Sequence, residues 1–76
     1  MTKFKQLYPG ALLTFPYTNH KGEYGIRTAT LAGIEYGSNE WYPDPQWFIR
    51  TWDLDKNAAR SFALNLIDPT KLIIKS

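Results

Sequence analysis

The sequence predicts an all-β fold, a small barrel of five strands with at most short helical turns. Stretches alternating apolar and polar residues recur along the chain, and glycine, asparagine and proline punctuate them at turn spacing. No segment keeps the 3.6-residue period of a long helix, and closing the sheet would remove exposed strand edges. The chain has 76 residues, so positions 1–76 form one small domain with a thin core. It has no cysteine and a single histidine, so neither disulfides nor a zinc site is expected to staple the fold. Packed aromatics must supply the stability instead, and twelve Phe, Trp and Tyr residues are enough for that.

Each strand has its own signal. Residues 46–53, QWFIRTWD, are too rich in aromatic and β-branched side chains to be anything but a buried strand, around which the others assemble. Before it, residues 1–10 read as a helical turn or lead-in ended by Pro9-Gly10. Residues 11–18 alternate, with Leu13, Phe15 and Tyr17 on one face, and Pro16 requires an edge or a bulge on its amide side. Asn19-His20-Lys21-Gly22 makes the hairpin link. The return strand, 23–36, is long enough that it must bend, and Gly25 and Gly33 are the places for it. One parity carries Tyr24, Ile26, Ile34 and Tyr36, the other Arg27, Ala29 and Leu31, and a kink would let both reach the core.

After a turn at 37–40, the proline-stiffened WYPDP of 41–45 excludes regular structure. Asp53, Asp55 and Asn57 suit a turn. Residues 58–64 alternate again with Arg60, Phe62 and Leu64 on one face, 65–69 read as a helical turn, and 71–74 as a closing strand. The expected core is Leu13, Phe15, Ile26, Ile34, Ile49, Phe62, Leu64 and Ile67.

Nine basic against seven acidic residues leave a formal charge of +2 with no Lys/Arg block, a weak basic bias only. No signal peptide is read at the start and no apolar run approaches the roughly 20 residues of a membrane span, so a cytoplasmic, soluble protein without membrane association is expected. Enzyme signatures are missing: there is no glycine-rich phosphate loop and no nucleophile elbow. His20 in a hairpin tip reads as solvated rather than as a general base, and Asp53 with Asp55 as turn formers rather than as acid–base or cation groups. No catalytic residue, metal or cofactor is expected.

Two features point to binding. Arg27 and Arg60 stand beside apolar residues in strands, and their guanidinium heads need partners. An anionic ligand or an aromatic ring would satisfy them, and so would Glu23, Glu35 or an Asp at the barrel rim. Trp41, Tyr42 and Trp47 around Pro43 and Pro45 make either a rigid stacking platform or a lid that completes the core; the lid is favoured, because small domains spend tryptophans on stability first.

The pattern Y-x-N-H-x-G-E-x-x-x-R at Tyr17 to Arg27, then W-F-I-x-x-x-D at Trp47 to Asp53, then R-x-F-A-L-x-x-I at Arg60 to Ile67, resembles the WYL domain, an Sm-like β-barrel module. The resemblance covers about residues 13–68. Trp47-Phe48-Ile49 stands where the family has Trp-Tyr-Leu, Thr30 stands where it usually has proline, and the helix that commonly precedes the first strand is missing or shortened. The resemblance implies a sensor module of bacterial regulators and defence-associated proteins that binds nucleic acid or a small ligand. It also implies that the arginines matched by Arg27 and Arg60, with the tripeptide, line the site.

The expected ligand-binding set is Arg27, Arg60, Trp47, Phe48, Tyr17 and Trp41. The expected ligand is single-stranded nucleic acid or a nucleotide, held by a monomer or weak oligomer. The alternative is a protein-interaction or Sm-like assembly module that uses the aromatic loop or edge strands.

Overall fold

The computed structural model describes residues 3–75; Met1, Thr2 and Ser76, and with them the first residues of the expected lead-in, lie outside it. Five strands form one antiparallel sheet: β1 (Leu12–Thr18), β2 (Tyr24–Gly37), β3 (Gln46–Asp53), β4 (Ala58–Ala63) and β5 (Ile73–Lys75). Their order is β4-β3-β2-β1-β5, and the helical content is two short 3-10 turns, Lys3–Gln6 and Leu64–Leu66. The all-β class is therefore as the sequence predicts. Leu64 has left β4 for the second helical turn, and β5 begins two residues later than expected.

Local chemistry sets the hairpins. At the β1–β2 tip the Gly22 amide donates to the Asn19 carbonyl at 2.9 Å, with Gly22 at φ 82°, a conformation glycine adopts without a Cβ clash. The Asn19 side-chain oxygen accepts from the amides of Lys21 and Glu23, both at 2.9 Å, so one asparagine organises the link. Between β3 and β4, Asp53 Oδ1 accepts from the amides of Asp55 at 2.9 Å and Lys56 at 3.1 Å, while Asn57 takes φ 52°. Pro16 is tolerated because β5 pairs only with Leu12 to Thr14, which leaves that flank of β1 open beyond them.

The core corrects two expectations. Ile26 is 57% exposed and Ile34 46% exposed, while Ala29 and Leu31 of the opposite parity are buried. Arg27 lies opposite Phe15 in the ladder, so the odd residues of β2 continue the face that carries Leu13, Phe15 and Tyr17. The register then slips at Ala32, between Leu31 and Gly33, beside one of the two glycines expected to bend the strand. That slip places Ile34 opposite Ile49, but burial along β2 ends at Leu31 and the ribbon beyond is solvated. Leu13, Phe15, Ile49, Phe62 and Ile67 are buried as expected, Leu64 is partly buried against them, and Ala11, Tyr17 and Leu72 join them.

Phe15, Tyr17 and Phe62 curl the sheet. Their ring centres lie 4.9–6.1 Å apart at near-perpendicular angles, the edge-to-face geometry that aromatic quadrupoles favour. Because β1 and β4 are separated by two strands in the ladder, this contact holds the sheet's concave face closed around its core. Truncating Phe62 to Ala removes the shared ring, and the expected cost is roughly 3–5 kcal/mol, comparable to the whole stability of so small a domain. A thermal melt of that variant checks it: an unchanged midpoint would show that Phe62 does not close the core.

Candidate functional site

The concave face does not close at every end. Where β1 ends, β2 begins and β4 passes, a cleft of about 520 Å³ opens, walled by Tyr17, Lys21, Arg27, Trp41 and Arg60 and floored by Phe62. Arg27 and Arg60 reach it because both occupy inward-facing strand positions beyond the last buried residue of that parity, Ala29 and Phe62 respectively. Their stems follow the core and their heads emerge at its mouth.

Neither arginine is neutralised by the carboxylates expected at the rim. Among the described residues the one ion pair is Arg50 with Glu35 at 3.6 Å, on the exposed surface. The Glu23 carboxylate accepts from the Asn19 amide at 2.9 Å, and this bond chiefly holds its pKa below the usual value, with smaller help from Lys21 and Arg27. Arg27 Nη2 instead donates to the backbone carbonyls of Glu23 at 3.3 Å and Tyr17 at 3.5 Å, and its guanidinium carbon lies 5.9 Å from the Tyr17 ring centre. Arg27 Nε is buried and has no hydrogen-bond partner among the described residues. Against Lys21, Arg27 and Arg60 the cleft sets one carboxylate, Glu40, so its formal charge of +2 equals that of the entire chain. A weak bias in composition is thus a concentrated one in space.

The aromatic loop divides the roles that the sequence left open. Asn39 bends it: its side-chain oxygen accepts from the amides of Trp41 at 2.9 Å and Tyr42 at 2.8 Å, and its own amide donates to the Tyr42 carbonyl at 3.0 Å. Tyr42 is the lid, half-buried with its ring 5.8 Å from that of Phe48 and its hydroxyl 3.2 Å from that of Tyr17. Trp41, expected to share the lid with Tyr42 and Trp47, is instead 54% exposed and stacks on the exposed imidazole of His20 at 4.3 Å and 18°. One face of the indole is therefore occupied by a planar ring of the chain itself.

Four of the six expected ligand residues, Tyr17, Arg27, Trp41 and Arg60, meet in the cleft. Phe48 is buried beneath Tyr42, and Trp47 stands outside, 53% exposed against Tyr36 at 5.2 Å. Lys21 and His20 enter the cleft unforeseen. The hairpin register, which folds their turn back beside Arg27, is the signal that would have found them.

Tyr17 ties these parts together. Its hydroxyl accepts from the Ala63 amide at 2.9 Å in the interior and meets Tyr42 on the other side. Burial pushes its pKa well above the ordinary 10.0, and the Tyr42 bond adds to this.

No family model, no curated protein and no solved structure matches the chain. Among the described residues no helix is long and apolar enough to cross a membrane.

Two outcomes are expected at Tyr17. Its raised pKa means that the folded protein keeps a proton the unfolded chain has lost, so this stabilisation is complete below pH 10 and declines as pH rises above it, by at most about 1.4 kcal/mol per pH unit. Tyr17→Phe strands the buried Ala63 amide, which costs about 1–3 kcal/mol at neutral pH, and flattens the alkaline decline. Urea unfolding of both proteins between pH 8 and 11 measures the two effects, and parallel pH profiles would contradict the role given to Tyr17.

Proposed function

We propose that this chain is a non-enzymatic binding module for an anionic ligand, a single-stranded nucleic acid or a nucleotide, taken up between Arg27 and Arg60. The observation that carries the reading is the cleft itself, where cationic side chains that form no ion pair among the described residues surround an exposed indole. Guanidinium groups suit phosphate because their planar fork donates two parallel bonds, and the unpartnered Arg27 Nε is a donor for which a phosphate oxygen would supply the acceptor. Trp41 offers a surface on which a base stacks.

The resemblance to the WYL domain supports the same role, since it matches Arg27 and Arg60 to the arginines proposed to line that family's site. In this reading Tyr17 and Trp41 complete the contact set, Phe48 acts by supporting Tyr42, and Trp47 makes no ligand contact. The sequence carries no phosphate-loop or nucleophile-elbow motif that would favour an enzyme over a binding module.

One observation favours a second reading, a protein-interaction module: Ile34, Tyr36 and Trp47 form an exposed apolar strip where the β2–β3 ribbon runs past the core. Oligonucleotide titration separates the two. At low salt a short single strand is expected to bind and to weaken as salt rises, because phosphate contacts release counterions. Arg27→Lys keeps charge but loses the fork, so affinity is expected to fall on the order of tenfold with the far-UV spectrum unchanged. Absence of binding at low salt would favour the interaction module.

A further inference from the structure

The cleft has a neighbour. On the outer side of β3 and β4 a groove of about 350 Å³ runs past Arg50 and Trp52, and it shares Ala59, Arg60 and Ser61 of β4 with the cleft. β4 is the terminal strand of the sheet, so these three residues form a saddle over its edge between the two depressions. Strand alternation puts Ala59 and Ser61 on the outer face, where neither is large enough to block a passing chain, and leaves Arg60 turned toward the cleft.

The groove repeats the chemistry of the cleft. Trp52 is 46% exposed, and its ladder neighbours on the two flanking strands are Thr30 and Ala59, so no large side chain covers the indole from either side. Among the described residues Arg50 is bound only by its 3.6 Å contact to Glu35, with both side chains more than half exposed, and so weak a pair leaves the guanidinium open to a phosphate. Along the path the groups alternate: the cations of the cleft with Trp41, then Arg60, then Trp52 with Arg50. A single strand of nucleic acid has the same alternation of phosphates and bases, whereas a mononucleotide would fill the cleft and leave the groove unused.

We propose that the ligand is a single-stranded nucleic acid several nucleotides long, which stacks one base on Trp41, crosses the edge of β4 with a phosphate on Arg60, and stacks a second base on Trp52 beside Arg50. This rests on the reading of the cleft given above and extends it across the sheet edge. Trp52 and Arg50 are the binding residues that it adds.

The test uses fluorescein-labelled octadeoxyuridylate and octauridylate, which differ only in the sugar, at low salt, read by anisotropy, with unlabelled deoxyuridine monophosphate followed by amide shifts as the short control. Trp52→Ala is expected to weaken an octamer about fivefold to 150-fold, the range for loss of one stacked base, and to leave the mononucleotide unaffected. Arg50→Gln is expected to lower the slope of log affinity against log salt by about 0.7. Because Arg50 is exposed, it also answers the question should Trp52→Ala fold poorly, and Trp52→Leu gives a third variant that preserves apolar bulk. The dependence on Trp52 and Arg50 with either polymer supports the track, and the tighter octamer identifies the sugar. If Trp52→Leu and Arg50→Gln leave both octamers unchanged while Arg27→Lys weakens them, the track is wrong and the cleft reading stands. If neither octamer binds, or Arg27→Lys has no effect, the cleft reading fails and the track with it.

Discussion

A single hydroxyl does much to decide how this sheet can curl. Ala63 is the last residue of β4, the terminal strand, and its buried amide finds no neighbouring strand on its open side. Left unpaired, such a group costs about 1–3 kcal/mol. Tyr17 Oη takes that bond from across the core, while the same ring packs edge-on against Phe15 and Phe62. Its other polar neighbour is Tyr42, so the tie that closes the sheet also holds the 39–42 segment over the mouth. Arg27 is anchored on this residue too, through the Tyr17 carbonyl and ring. Site and core are therefore not separate constructions, and the geometry of one is inherited from the other.

The same constraint explains why the arginines stand without carboxylates. A cation at an inward strand position is tolerated only where the core opens, since a buried charge without a partner is costly. Glu40 is the one carboxylate that lines the cleft; of the others, Glu23 is held by Asn19, Asp53 by the turn after β3, and Glu35 by Arg50 on the outer surface. Asn19 and Asp53 fix their turns by accepting amides, so the chemistry that makes the hairpins also withdraws counter-charges from the cleft. Backbone carbonyls then satisfy one nitrogen of Arg27 and leave Nε without an acceptor.

Strand existence was legible because it depends on alternation and on turn residues, both local properties of the chain. The inward parity of β2 was not, because Ile26 and Leu31 belong to opposite faces and only the pairing of Arg27 with Phe15 selects between them. Apolar character alone does not turn a residue inward, because the strand's buried face is set by its partner. The arginines could be singled out from their apolar surroundings, yet their convergence needed the curl that joins β1 to β4, a contact between residues distant in sequence. The tryptophans were misjudged for a related reason. Proline stiffening of residues 41–45 is visible in the chain, whereas the choice of Tyr42 over Trp41 as lid follows from the position of the Tyr17 hydroxyl.

The three tryptophans carry the argument further. They are the largest apolar side chains in the protein, and all three are about half exposed, while Phe15, Tyr17, Phe48 and Phe62 are buried. Burying an indole is among the most favourable things a thin core can do, so leaving three in water forgoes stabilisation that a small domain can use. Packing alone does not require it: among the described residues Trp41 stacks on the ring of His20 alone, Trp47 on that of Tyr36 alone, and Trp52 lies between small residues of two strands. What the three positions share is a place on a concave or open surface, with cations beside Trp41 and Trp52 and an apolar strip around Trp47. The core is closed by phenylalanine and tyrosine, and the indoles are left to the faces where the chain can meet something else.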